Sequence, residues 1–359
     1  MIYTDSLPSR TVRVKQQDWL WFSGTAYLGM GHNALYKNYL LEGLTQYGST
    51  FGSSRNNNLR LQVYEEAEQT LAQFVGAPAS LSVSSGMLVG QLVMKWLTQQ
   101  QVAEVWFAPN VHPALWTPQY QPNPSPSQEW FEALPEQLAH SPHSQFIIAT
   151  DSVGSPQVEQ VPLRWIRQLP ENKQVTIVID DSHGLGVFGR HGEGIYAKAV
   201  QHLVHPNHQL LVVSSLNKAL GTPAGAIFAD ESTITAIRKM PMFSGASPSV
   251  PACMYALMRA CQTGIYAHEH QKLLASTQHF MNSVKDLGLF SYFEDYPAFC
   301  SLRSGLHEFL KERQILTASF PYPTPDSPPV TRLVVSSLHT IEDLNTLAEA
   351  CVAFAKVSA

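Results

Sequence analysis

The chain has 359 residues, 44% of them hydrophobic and only 14% charged, with a formal net charge of −5. That balance belongs to a well-buried globular protein and excludes disordered and fibrous classes, and its mild acidity gives no basis for a nucleic-acid partner. No apolar run is long enough to span a bilayer, and the first 22 residues carry Arg10, Arg13 and Lys15 but no apolar leader core. The four cysteines, Cys253, Cys261, Cys300 and Cys351, form no C-x-x-C pair. They read as reduced thiols, so the expectation is a cytoplasmic protein with no membrane partner.

Residues 1–45 read as an N-terminal arm and short helix, 46–245 as a large domain, and 246–359 as a smaller α+β domain. A helix is predicted over residues 59–75, where Leu61, Tyr64, Ala67, Leu71 and Phe74 recur at three- and four-residue steps until Gly76. Short apolar runs follow at 81–83, 102–107, 146–149, 175–179, 210–213 and 226–228. Runs this short and β-branched suit strands buried on both faces, hence a mainly parallel sheet between crossover helices such as 87–98 and 163–169. The proline-rich stretch 117–127 reads as a surface excursion. Beyond Ser244 the pattern becomes a long helical region, 251–287, then short strands near 290–293 and 332–336 and a final helix over 341–356.

Open parallel sheets present ligands at the carboxyl ends of their strands, so the residues after each run carry the chemistry. After 81–83 comes Ser84-Ser85-Gly86-Met87, a glycine turn into a helix whose free N–H groups suit a phosphate. After 175–179 comes Asp180-Asp181-Ser182-His183. Two acids there could ligate a metal, or set one carboxylate against a ring nitrogen and keep it protonated. After 210–213 comes Ser215-Leu216-Asn217-Lys218, a lysine among small and apolar neighbours. Desolvation there would lower its pKa and free its amine as nucleophile and base. A pyridinium-facing acid, a Schiff-base lysine and a phosphate turn together fit pyridoxal 5′-phosphate (PLP) better than another cofactor.

Two other patterns are discounted. Gly184-x-Gly186-x-x-Gly189 matches a dinucleotide fingerprint, but the loop continues where a helix should open. His202, His205 and His208 read as a surface loop, because no acid or cysteine stands at ligand spacing.

The order of these motifs resembles the α-oxoamine synthases of PLP fold type I, over nearly the whole chain from Tyr27. Tyr27-Leu28-Gly29 is similar to the family's early YLG motif, and Gly52-Ser53-Ser54-Arg55 to its glycine-rich GSR segment. Asp180 and His183 match its D-x-x-H pair, and Ser215 and Lys218 its [ST]-x-x-K motif. The resemblance implies an α/β type I fold, PLP and a homodimer. It implies amino acid and acyl-CoA substrates, condensed with loss of CO₂. Lys218 would form the Schiff base and remove the α-proton, and Asp180 would face the ring nitrogen. His183 and Ser155 would reach the ring oxygen, and His112 would stack on the ring. Ser85, Gly86, Met87 and Ser215 would hold the phosphate, and Arg332 the substrate carboxylate.

The chain departs from the family at Thr25 for asparagine, Leu59 for glycine, Tyr64 for histidine and Met87 for an aromatic. Asp151 replaces a glutamate, and Gly245 a threonine that contacts the phosphate across the dimer. These mark a divergent member. A transaminase or lyase on the same scaffold is the alternative reading, and a catalytically silent binding protein a third.

Overall fold

The computed structural model describes residues 2–100, 103–154, 158–321 and 327–357. The N-terminal arm is a hairpin, β1 (Thr11–Val14) and β2 (Gln17–Phe22), which the sequence pattern did not reveal. α1 (Ala34–Tyr47) starts where the Asn33 side chain accepts from Tyr36 N. α2 (Gln62–Val75) stops at Gly76, whose φ of 77° is the left-handed cap that only glycine adopts freely.

There follow β3 (Ala79–Val83), α3 (Gly86–Gln100), β4 (Glu104–Phe107), α4 (Ser127–His140) and β5 (Gln145–Asp151). A two-residue hairpin, β6 (Val153–Gly154) and β7 (Glu159–Gln160), precedes β8 (Gln174–Asp180) and α5 (Tyr196–Val200). Next come β9 (His208–Ser215), β10 (Gly225–Ala229), α6 (Glu231–Arg238) and α7 (Pro241–Gly245).

Six of these strands form one sheet in the order β3-β10-β9-β8-β5-β4. β4, β5, β8 and β9 run parallel, and β10 runs against both of its neighbours. Alternate residues feed two cores: Ile148, Ile177, Val212 and Phe228 on one face, Ile147, Val178, Leu211 and Ile227 on the other. Both faces are therefore dry, which explains the unbroken apolar runs. The mainly parallel sheet between helices is the expected α/β type I architecture.

The remainder comprises α8 (Pro251–Thr263), α9 (Ile265–Val284), β11 (Ala298–Ser301), α10 (Leu306–Lys311), β12 (Ile315–Pro321), β13 (Pro329–Val334) and α11 (Ile341–Val357). A second sheet, β1-β2-β12-β13-β11, packs on α9 and α11 through Phe22, Phe280, Phe299, Leu333, Leu347 and Phe354. β2 joins it in parallel to β12, so the arm completes a sheet built mostly from the C-terminal residues.

Several expected elements are corrected. The helical region 251–287 breaks at Gly264, where φ is 72°. Residues 164–168 form a 3-10 segment, not an α-helix. The strand expected at 290–293 is a single bridge, Ser291 to Cys300, because Phe290, Tyr292 and Phe293 serve as aromatic packing. The last strand lies at Pro329–Val334 instead of 332–336. His208 is buried, with Nε2 on Pro170 O, so the expected surface loop goes under cover there. None of the four cysteines is in a disulfide. No helix among the described residues is long and apolar enough to cross a membrane.

Candidate active site

The carboxyl ends of β5, β8 and β9 lie side by side, with Asp151 opposite Asp180 in the β5–β8 register. Past that edge the chain turns sharply. Asp180 Oδ1 accepts from Ser182 N at 2.9 Å, and Ser182 Oγ accepts from Ser215 N at 2.7 Å. Ser182 thus ties the acid-bearing turn to the turn that carries Ser215 and Lys218.

Lys218 is half-buried. Burial holds its pKa below the ordinary lysine value, against the opposing pull of Asp180 and Asp151 and with help from the Arg332 charge. Around His183, burial first and then the charges of Lys218 and Arg332 push the imidazole well below its usual pKa, and His112 acts in the same direction. His183 Nδ1 lies 2.9 Å from Tyr27 Oη, which in turn is 3.3 Å from Tyr296 Oη.

His112 caps the 3-10 turn Pro113–Leu115, with Nδ1 accepting from Ala114 N at 3.2 Å. That bond requires a bare Nδ1, so the 3.8 Å approach of Nδ1 to Asp180 Oδ2 is a contact between neighbours and not a hydrogen bond. Burial keeps the ring neutral by lowering its pKa. The loop is pinned from below by Asp151, whose two carboxylate oxygens accept from His112 N at 3.0 and 3.3 Å. Burial and the charge of Asp180 raise the Asp151 pKa well above the carboxylate range. Sequence reasoning marked Asp151 only as a replaced glutamate. No local sequence pattern marks this role, because its partner is the backbone of His112, 39 residues away.

Ser85, Gly86 and Met87 open α3 at the same edge. A Cβ on Gly86 would overlap Ser215, so glycine is what lets the helix N-terminus lie against the lysine-bearing turn. Ser85 and Met87 are exposed, and Ser85 Oγ accepts from Leu88 N. Ser155 lies outside the described residues.

Arg332 comes from β13 in the other sheet, with its guanidinium 5.5 Å from the Phe320 ring. Its Nε is buried and has no hydrogen-bond partner among the described residues. A cationic donor left unspent beside Lys218 suits an incoming carboxylate.

Asp181 points away from this edge and organises the loop that follows. Its Oδ2 accepts from Ile195 N at 3.0 Å, and a Cβ on Gly184 or Gly194 would overlap its carboxylate. The glycines of the false dinucleotide pattern therefore wrap a buried acid, and no helix opens before Tyr196.

The substituted positions have structural occupants. The Tyr64 hydroxyl donates to Ser249 O at 2.7 Å, and the Arg55 guanidinium lies 4.4 Å above its ring. Leu59 is exposed, and a side chain at Gly245 would meet nothing within 4 Å.

Comparison with known proteins decides the family. The model of aminotransferase class I and II matches residues 17–350. The chain belongs to that family. It is 26% identical over 358 residues to 8-amino-7-oxononanoate synthase of Thermosipho melanesiensis, covering 94% of this chain and 90% of that protein. It is 30% identical over 246 residues to the Dechloromonas aromatica enzyme of the same name, covering 66% and 62%. Among solved structures, a serine palmitoyltransferase from S. paucimobilis with PLP and myriocin bound superposes with a TM-score of 0.84. That match has 18% identity and covers all of this chain and 93% of the other, so it establishes the type I fold. The protein is a PLP-dependent transferase.

The site fits that cofactor on its own terms. It offers an acid at a strand end, a depressed lysine, a helix N-terminus opened by an obligatory glycine, and an unspent arginine donor.

Proposed function

We propose that the enzyme is an α-oxoamine synthase. It would join the α-carbon of an amino acid to the acyl group of an acyl-CoA, releasing CoA and CO₂ and giving an α-amino ketone. The observation that carries this reading is the convergence of Asp180, Lys218 and Arg332 on one sheet edge, with Arg332 Nε unspent. The nearly full-length similarity to 8-amino-7-oxononanoate synthases supports it.

PLP, when bound, supplies an electron sink for charge developing at the substrate α-carbon. The chain's own residues supply the rest. Lys218 would attach the cofactor, and its Nζ, whose pKa burial lowers from the ordinary lysine value, would take the α-proton. Asp180 would hold the ring nitrogen of the bound cofactor. His112 and His183 are the neutral imidazoles assigned to the ring face and ring oxygen, and Ser155 is assigned to the same oxygen. The N–H groups at Gly86 and Met87, with Ser85 and Ser215, take the phosphate. Arg332 binds the amino-acid carboxylate and sets which α-bond faces Lys218.

The domain division 1–45, 46–245 and 246–359 and a homodimeric, cytoplasmic form belong to this proposal. Leu41 and Leu44, exposed on α1, offer apolar surface to a second copy, and cysteines that form no disulfide suit a reducing compartment.

The test is a titration of the PLP-loaded protein with a panel of amino acids, before and after adding acyl-CoA. A long-wavelength absorption band that grows with acyl-CoA, together with release of free thiol, is the expected result and identifies the amino acid. Conversion to the pyridoxamine form without CoA dependence would replace the proposal with a transaminase.

A further inference from the structure

His183, itself partly exposed, ends a chain of polar groups that runs through two buried tyrosines and begins in the C-terminal region. Tyr296, just before β11, is 2% exposed and held by ring contacts with Phe293 at 4.7 Å and Phe188 at 5.9 Å. Its hydroxyl reaches Tyr27 Oη at 3.3 Å, and Tyr27, also 2% exposed, reaches His183 Nδ1 at 2.9 Å. Among the described residues neither hydroxyl has another hydrogen-bond partner.

Donor counting fixes the direction of both bonds. Each phenol has one O–H to place, and a buried O–H without an acceptor costs roughly 1–3 kcal/mol. If His183 Nδ1 carried a proton and donated it to Tyr27, the two hydroxyls would have only each other. One O–H would then be stranded. Only the order Tyr296 to Tyr27 to Nδ1 satisfies both. Burial raises the pKa of both phenols, so both protons stay in place at neutral pH. The imidazole faces Lys218, Arg332 and His112 as well as Tyr27, and burial first, with the cations of Lys218 and Arg332, disfavours a second proton on it.

We infer that Tyr27 and Tyr296 are positioning residues that lock His183 as the neutral tautomer with its proton on Nε2. The free N–H then lies on the ring edge away from Tyr27, ready to donate to an acceptor in the site. That this acceptor is the oxygen of the cofactor ring rests on the function proposed above. The tautomer itself does not. Because Tyr296 belongs to the segment leading into the second sheet, the lock also spans the two sheets.

The experiment uses ring-¹⁵N-histidine-labelled full-length apoprotein, with long-range ¹H–¹⁵N spectra recorded across pH. The His183 signal is assigned by its loss in His183→Gln. The wild type should show protonated Nε2 and bare Nδ1, persisting to a pH below that of a free imidazole. Tyr27→Phe should lose this single-tautomer signature and populate both forms. Tyr296→Phe, which leaves the Tyr27 donor intact, should keep it. A wild-type proton on Nδ1 would overturn the inference, and so would an unchanged tautomer in Tyr27→Phe. The wild-type spectrum decides even where that variant does not fold. PLP uptake, followed separately by visible absorbance, tests the cofactor reading. Its failure would leave the apoprotein tautomer standing.

Discussion

The residues assigned to the chemistry are distinguished by burial more than by rarity. Lys218 is one of many lysines, but it stands after a dry strand, and desolvation lowers its pKa. Asp180 is assigned the opposite task, keeping a negative charge where a ring nitrogen must stay protonated. Asp180→Asn keeps the hydrogen bond to Ser182 N and removes the charge. It should lower kcat by about 100-fold or more while leaving the fold intact, as expected for loss of a preorganised electrostatic partner. Steady-state kinetics beside a circular dichroism melt would show it. An activity within a few-fold of wild type would mean that Asp180 does not serve the reaction. Asp180, His183 and Lys218 stood out in the sequence because they follow apolar runs, whereas Arg332 was singled out only through the family resemblance. The roles of Tyr27 and Asp151 were not legible there. They rest on contacts with His183 and with the backbone of His112, which no local pattern encodes.

At the scale of an element, the loop after β8 is built around the Asp181 carboxyl. Burial raises its pKa to about 7, although Ile195 N donates to it. An acid whose pKa is higher folded than unfolded binds its proton more tightly in the native state. The stability it contributes is therefore present below about pH 4 and is lost as pH rises through about 7. Asp181→Asn mimics the neutral form. The variant should lose less stability than the wild type between pH 5 and about 8, by on the order of 2–3 kcal/mol in urea titrations. Parallel curves for the two proteins would show that Asp181 is already ionised in the fold. The loop also shows why its glycine pattern misleads: Gly184 and Gly194 make room for a carboxylate, as a phosphate loop would make room for a ligand. The strands of the large sheet were readable because both faces are dry. β1 and β2 were not, because the four-residue edge strand β1 alternates too briefly to register, and β12, the other partner of β2, lies some three hundred residues away.

Across the whole molecule, one buried ion network joins segments distant in the sequence. Glu68 of α2 accepts from Arg55 at 2.6 Å, from Arg238 of α6 at 2.8 Å, and from Ser82 N and Oγ of β3 at 2.7 Å. Arg55 and Glu68 are 4% and 3% exposed, so neither charge can fall back on water. Glu68→Gln should destabilise the protein by about 3–5 kcal/mol, read as a fall in the urea midpoint at unchanged m-value. A loss below 1 kcal/mol would mean that the network relaxes around the change. The glycine-rich segment ending at Arg55 thus serves the frame of the large sheet, and the site at its edge is held by that frame. Whether this frame presents Lys218 to PLP can be read by borohydride reduction of the PLP-loaded protein, followed by proteolysis and mass spectrometry. A phosphopyridoxyl group on Lys218 alone is the expected result, whereas a modified lysine elsewhere, or none, would show that Lys218 does not hold the cofactor.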